Sequence, residues 1–597
     1  MKAKSLLPYT ALLLAFLALA LFEQDYLYRA EEQNLFLGTS LFFKQCMVSS
    51  GGLLTWAGAF FTQLFYYPLL GAGVLCLLWG AIMWLLGHTF HIPRPWRPLT
   101  LVPVACLLLT ITTLGYWIYY LKLRGVFFDA TIGTLVALLL VLAYKQLPGN
   151  RVVRPLFIVV ATAIGYPLFG FYALFAAMLM ALSAERLRMV DVLVAVLSVV
   201  AVPLLCYHLV YHETNIVNIY WTGLPNFCHV GQRYFIYNLP YIFLFVSIAA
   251  LALLRLPERA GKKGMWMQGT VLTATAAAVF LFWYKDSNFH CELAMYRQLE
   301  QQQWEEAVAT SAAVKGEPTR AICIMRNVAL ARLGRQGDEM YRYPNGACPP
   351  DAPFPIRLVD TMGRMLYLEY GITNYCFRWC MEDGVEYGWS VEKLKLMAKC
   401  AIVDGEMAAA QKYLSLLKKC AFQKEWVATY TRIAHQPQLI AQHPGLRAIS
   451  QLQRHDNFLT ADQGQMERFL LEHLTTTQTR EPLLQEQVLI AAMQKKDARL
   501  FWQQFYQYTE LHKLDKRPMP RHYQEAACLF AQLGQLDISH MPFDRQVKAE
   551  FEGFNSILAT ARQRGIGMEQ IRKNMYDHFH QTYYYHYYFD TYDYIEN

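Results

Sequence analysis

Charge is scarce in this chain. Of its 597 residues, 17% are Asp, Glu, Lys or Arg, against about 25% in ordinary soluble proteins. Nucleotide motifs are missing as well: there is no P-loop, no dinucleotide-binding glycine fingerprint, no HExxH and no nucleophile elbow. Those absences speak against an ATP-driven pump or a cytoplasmic nucleotide enzyme. There is also no Lys/Arg block, so the formal charge of +8 does not point to nucleic acid. Cysteine is not scarce. The thirteen are an odd number, so at least one is unpaired or pairs between chains. Cys376 and Cys380 stand at i, i+4, but no finger-like second pair accompanies them, so helix packing is expected there and no metal.

Apolar residues make up 55% of the chain, and they are unevenly placed. Up to Tyr284 they form runs near membrane length, separated by short loops. The last run, Trp266 to Tyr284, follows Lys262 and Lys263 and is flanked by Trp266, Trp283 and Tyr284, the anchors of a membrane span. Leu6 to Phe22 is read as a retained first span, with a cleaved signal peptide as the alternative. Pro68 divides the long apolar stretch Gly51 to Leu86. The part before it, Leu53 to Tyr67, reads as a helix lying in the interface or entering it partway, and Leu69 to Leu86 as the second span. Further spans are expected at about 99–120, 128–144, 189–209 and 239–254. Residues 155–183, broken at Gly165 to Gly170, are read as two short spans, with one kinked span as the alternative.

Charge supports this layout. The inner segments collect Lys2, Lys4, Arg94, Arg97, Lys145, Arg151, Arg154, Arg186, Arg188, Arg255, Arg259, Lys262 and Lys263. The outer loops hold only Arg29, Lys44, Lys122, Arg124 and Arg233. That bias places about nine crossings with the tail outside. The expected fold is therefore all-α: a polytopic transmembrane bundle over 1–285, then a helical solenoid. The solenoid divides at the loop Pro344 to Pro355 into a first helical segment, 286–343, and a C-terminal helical-repeat domain, 356–597. Its grammar is tetratricopeptide-like. Leu394, Met397, Ala398 and Ala401 share a helix face, Gly405 marks a turn, and Ala410, Leu414 and Leu417 form the next face. An unrelated helical bundle is the alternative. The Tyr583 to Tyr588 run is expected to pack rather than to bind.

Two outer constellations could carry chemistry. One is Glu23 and Asp25 with Arg29, Glu31 and Glu32. The other is His212 and Glu213 with His229 and Arg233. Carboxylates at a membrane surface can act as a general base, or hold a divalent ion on a pyrophosphate. Arginine can clamp a phosphate through two parallel N–H bonds. The plainer reading is that these are solvated loop charges.

An acidic pair just after the first span, an interfacial helix next, short broken spans and an outer C-terminal part resemble the layout of the GT-C glycosyltransferases. The resemblance covers roughly residues 1–285. It implies transfer of a sugar from a lipid-linked donor at the outer face, with an acidic residue of the first outer loop catalytic. By position that residue is Asp25, with Glu23 as its support. Arg29, His212, Glu213 and Arg233 would then bind the donor. No cofactor is specified beyond the divalent ion those carboxylates could take. The tail resembles the tetratricopeptide-like periplasmic domains of some multi-pass bacterial envelope proteins. The stretches Gly51-Gly52-Leu53-Leu54, Gln63 to Pro68 and Asn327 to Ala331 resemble an uncharacterised bacterial family of membrane proteins with helical-repeat tails. The expected setting is a bacterial inner membrane, with the C-terminal domain periplasmic. Expected partners are membrane lipids, a polyprenyl-phosphate sugar and proteins docking on the repeats. The alternative function is a non-enzymatic scaffold for envelope proteins.

Overall fold

Nearly every segment is helical in the computed structural model, which describes residues 3–183, 188–212, 214–259, 261–453, 462–514 and 518–590. Among the described residues the only strands are the antiparallel pair Cys228–His229 and Gln232–Arg233. The chain divides into two compact units. The first comprises Met1–Lys285 together with Met381–Lys395 and Lys412–Thr429. The second comprises Asp286–Cys380, Leu396–Gln411 and Tyr430–Asn597.

The first unit runs through α1 (Ala3–Phe22), α2 (Gln24–Glu32), α3 (Ser40–Cys46), α4 (Gly52–Thr62), α5 (Pro68–Thr89), α6 (Leu101–Thr112) and α7 (Trp117–Tyr120). It continues through α8 (Val126–Gln146), α9 (Val153–Phe169), α10 (Phe171–Leu182), α11 (Met189–Leu209), α12 (Leu239–Leu253) and α13 (Lys262–Phe282). Six segments are long and apolar enough to cross a membrane: Pro68–Thr89, Arg94–Thr112, Val126–Gln146, Met189–Leu209, Phe235–Leu253 and Lys262–Phe282. The pair Leu7–Phe22 and Gln24–Glu32, bent by 74°, makes a seventh if it is one span. The shorter α9 and α10 are also apolar.

Two predicted breaks have visible causes. Pro68 opens α5, where a missing N–H leaves no bond unmade. Gly170 separates α9 from α10 with φ +57° and ψ −132°, a conformation close to that reserved for glycine. A Cβ at Gly170 would also lie 2.3 Å from the Thr222 carbonyl oxygen. Gly170→Ala is expected to destabilise the fold by about 2 kcal/mol or more, seen as a lower melting temperature of the purified protein in detergent. An unchanged temperature would remove this account of the break.

Two segments depart from expectation. The third apolar helix ends at Thr112, not near Tyr120. Thr110, Thr112 and Thr113 turn their hydroxyls onto the carbonyls of Leu107, Leu108 and Leu109, and Gly115 follows with φ +51°. Trp117, Tyr119 and Tyr120, at the far end of the expected span, are buried. Trp117 packs edge-on against Phe227, Tyr234 and Tyr237. The helix expected at the interface is α4, and it is packed into the bundle: Leu54 and Ala59 are fully buried, and Gly58 lets α4 lie against the start of α8. The last apolar helix, α13, has no buried residue. Its ends are tied down nonetheless, by the Gln268 amide on Pro95 O and by the Trp283 indole N–H on a Glu23 carboxylate oxygen, 2.7 Å away.

The second unit contains neighbouring helices in contact: Ser287–Glu300 with Trp304–Ala312, then Arg320–Arg332, and later Pro482–Gln494 with Ala498–Leu511. Residues 344–357 are irregular, held partly by Arg320 on Asn345 and on the Gly346 carbonyl. The tyrosine run forms the helix Tyr583–Phe589, with Tyr583, Tyr584 and Tyr585 in the core and the Tyr583 hydroxyl on Met493 O. None of the thirteen cysteines is joined in a disulfide. Burial raises the Cys376 thiol well above its usual range, so it stays protonated and inert beside Cys380 and Cys400.

Beneath the tyrosine helix, Glu525 is buried. Burial pushes its carboxyl up, but His522, the Tyr583 amide and Arg521 outweigh that and hold it below the usual carboxylate range. A depressed carboxyl stabilises the fold above its unfolded pKa and loses that contribution as pH falls through the folded value. Glu525→Gln should therefore lower the melting temperature at pH 7, by the equivalent of about 2 kcal/mol. It should also shrink the drop between pH 7 and pH 3.5. A variant with an undiminished acid drop would contradict this.

Candidate functional site

The acidic helix that follows the first apolar run, α2, turns inward. Its Arg29 is 1% exposed. One guanidinium nitrogen lies 2.9 Å from Glu392 Oε1, and another lies 3.6 Å from Glu32. Lys395 reaches Glu32 at 3.0 Å, the Gln33 amide donates to the other Glu392 oxygen at 2.6 Å, and Gln423 reaches Glu31. Arg29 also lies over the Tyr119 ring. Backbone joins in, since the Val391 N–H donates to the Asn34 carbonyl at 3.0 Å. Ions so buried persist only when each meets opposite charge or hydrogen bonds. The acidic run after the first span is thus an anchor for residues 391–395, not a solvated loop.

The expected site residues are accordingly dispersed. Glu23 sits at the bend between α1 and α2, bonded to Trp283. Asp25 lies half-exposed on α2. Arg29 is enclosed in the anchor, where no substrate phosphate can reach it. His212 is exposed after α11, Arg233 is exposed on its two-residue strand, and Glu213 lies outside the described residues. None of the described ones lines the cavity that this unit encloses.

That cavity, of about 680 Å³, is enclosed by distant stretches of sequence: Gln33 and Leu35 after α2, Thr55 on α4, residues 120–124 and Val126, Asp129 and Ala130 at the start of α8, Tyr172 on α10, residues 223–226 with Cys228, Tyr241 on α12, and Val385 to Trp389. Gly51, Gly170 and Gly223 meet behind it. The Phe171 N–H donates to Thr222 O at 2.9 Å, which fixes the 223–228 loop against α10.

Asp129 dominates its chemistry. It sits in the first turn of α8 and is 8% exposed. Among the described residues its Oδ1 has no hydrogen-bond partner. A Cβ on Gly58 would fall 2.0 Å from that oxygen, so α4 carries glycine where it crosses the carboxylate. The Tyr172 hydroxyl on the same wall is also buried without a partner. A buried polar group left unpaired costs about 1–3 kcal/mol, and such groups gather where a ligand completes them. Five residues earlier Arg124 lies over the Phe42 ring, 5.1 Å from its centroid, and against the Cys46 thiol. Neither Arg124 nor the exposed Lys122 makes an ion pair with a carboxylate among the described residues. The cavity therefore offers two cations and a carboxylate not committed to each other, beside amides of Gln33 and Asn226 and aromatic rings. No group of three or more metal-ligating side chains occurs among the described residues.

Sequence reasoning passed over Asp129. One signal was available: it is the only charged residue in the apolar run from Val126 to Tyr144, and a carboxylate placed in a span marks a functional site by default.

The chain belongs to a family of unknown function, DUF6057, whose profile matches residues 2–590. No curated protein and no solved structure matches it.

Proposed function

We propose that this DUF6057 member is a bacterial inner-membrane protein with about nine crossings and a periplasmic, tetratricopeptide-like tail. We further propose that it transfers a sugar from a lipid-linked donor, with the chemistry at Asp129 instead of Asp25. One observation carries the reading: a nine-tenths-buried carboxylate with an unpartnered oxygen lines the same cavity as Arg124 and Lys122, neither of them ion-paired to a carboxylate among the described residues.

The chemistry follows from that placement. Asp129 takes the proton of an acceptor hydroxyl as general base. The freed oxygen attacks the anomeric carbon and the C–O bond to phosphate breaks. The phosphate leaves with the electron pair and is received by Arg124 and Lys122, whose charge offsets it. A site partly screened from water strengthens each of these interactions. An arginine with no carboxylate partner suits a phosphate because its planar fork offers paired donors.

The test is a strain lacking the protein, its envelope glycans and lipid-linked sugars profiled by mass spectrometry. Wild-type chain and an Asp25→Asn, Glu23→Gln double variant are expected to restore the profile, and Asp129→Asn to leave it altered. Full restoration by Asp129→Asn would defeat the reading. It would favour the scaffold, for which the paired helices of the second unit give some support.

A further inference from the structure

The cavity wall at Val385 to Trp389 comes from more than 100 residues beyond the last apolar helix, α13. Its geometry is that of a stacking surface. A Cβ built on Gly384 would lie 3.0–3.1 Å from Cε3, Cζ3 and Cδ2 of Trp389 at once. Three atoms of one six-membered ring equidistant from a point mean that the glycine backbone lies against one face of the indole. Trp389 is nonetheless only half-buried and lines the cavity. Tyr387 stands beside it, edge-on to Tyr120 with centroids 5.9 Å apart, and Tyr120 is in turn edge-on to His229.

We propose that Trp389 and Tyr387 form a carbohydrate platform, on which a pyranose ring stacks while its hydroxyls meet the Gln33 amide oxygen and Asn226. The faces of aromatic rings carry negative potential, and the axial C–H groups of a sugar carry the complementary positive charge. Apolar ring faces with a few amides are what fix and orient a small polar-rimmed ligand. The platform names the substrate class of the cavity as carbohydrate, and it rests on the transferase reading only for what is done to the sugar.

The same geometry gives the buried ion pairs a purpose. Glu392 follows Trp389 by three residues and Lys395 by six, and both are gripped by α2 through Arg29 and Glu32. These are positioning residues: they touch no ligand, but they hold the platform's segment in register with the cavity.

Saturation-transfer NMR on the full chain in lipid nanodiscs tests this, with a panel of methyl hexopyranosides and 2-acetamido-2-deoxyhexosides as probes. Wild type is expected to transfer saturation to the ring hydrogens of at least one sugar. Trp389→Ala should weaken that binding about tenfold or more, whereas Trp389→Phe should retain it. Lys395→Met should weaken it and Lys395→Arg restore it, with neither touching the sugar. Undiminished binding by Trp389→Ala, or no binding of any sugar by wild type, overturns the platform. Trp389-dependent binding alongside full glycan restoration by Asp129→Asn would leave the platform standing and remove the transfer reaction.

Discussion

Arg29→Met is expected to be among the most destabilising single changes in the chain, by about 3–5 kcal/mol. Methionine keeps much of the volume and none of the charge. Glu392 and Glu32 would then face each other's segment without the guanidinium that lies 2.9 Å and 3.6 Å from them. Desolvated carboxylates of like charge are far costlier than the pair they came from. The readout is the melting temperature in detergent. Two comparisons make the result specific. Lys122→Gln, on an exposed side chain, should move stability by no more than about 0.5 kcal/mol. The double variant Arg29→Met with Glu392→Gln should recover part of the loss, because one of the stranded charges is gone. A single variant as stable as wild type would show that the acidic run of α2 is not an anchor.

Asp129→Asn should do the opposite to stability while removing activity. As a general base Asp129 is expected to be worth about 10²- to 10⁴-fold in rate, so the variant should bind lipid donor and transfer essentially nothing. The amide has nearly the same shape, and it takes no ionic charge into a site where Oδ1 lacks a partner. Its melting temperature should be equal to or above that of wild type. Loss of function with gain of stability is the mark of a residue kept for chemistry. Loss of function with loss of stability would instead make Asp129 a structural acid of the α4–α8 crossing.

Local features of this fold were legible in the sequence, and the cavity was not. The helix breaks at Pro68 and Gly170 follow from backbone chemistry that each residue carries with it, and the apolar runs and their basic flanks speak for themselves. The acid cluster at residues 23–32 looked like a loop because its partners are Glu392, Lys395 and Gln423, more than 350 residues away, and no spacing rule connects them. The burial of Trp117, Tyr119 and Tyr120 was hidden for the same reason: aromatic residues at a helix end look alike whether lipid or residues 227–237 cover them. The cavity draws on stretches from Gln33 to Trp389, so only tertiary packing assembles it. Asp129 alone carried a local signal, as a carboxylate opening an apolar run, and that signal was passed over.

The central claim is that this cavity, with Asp129 and Arg124 uncommitted to each other, is where a phosphate-bearing lipid is held. A structure of the full chain determined in bacterial lipid extract tests it most directly. The account predicts elongated lipid density entering the cavity, with its phosphate at Arg124 and Lys122 and its next group within hydrogen-bond reach of Asp129. A cavity closed by an Arg124–Asp129 ion pair, with lipid confined to the outside of the bundle, would contradict it.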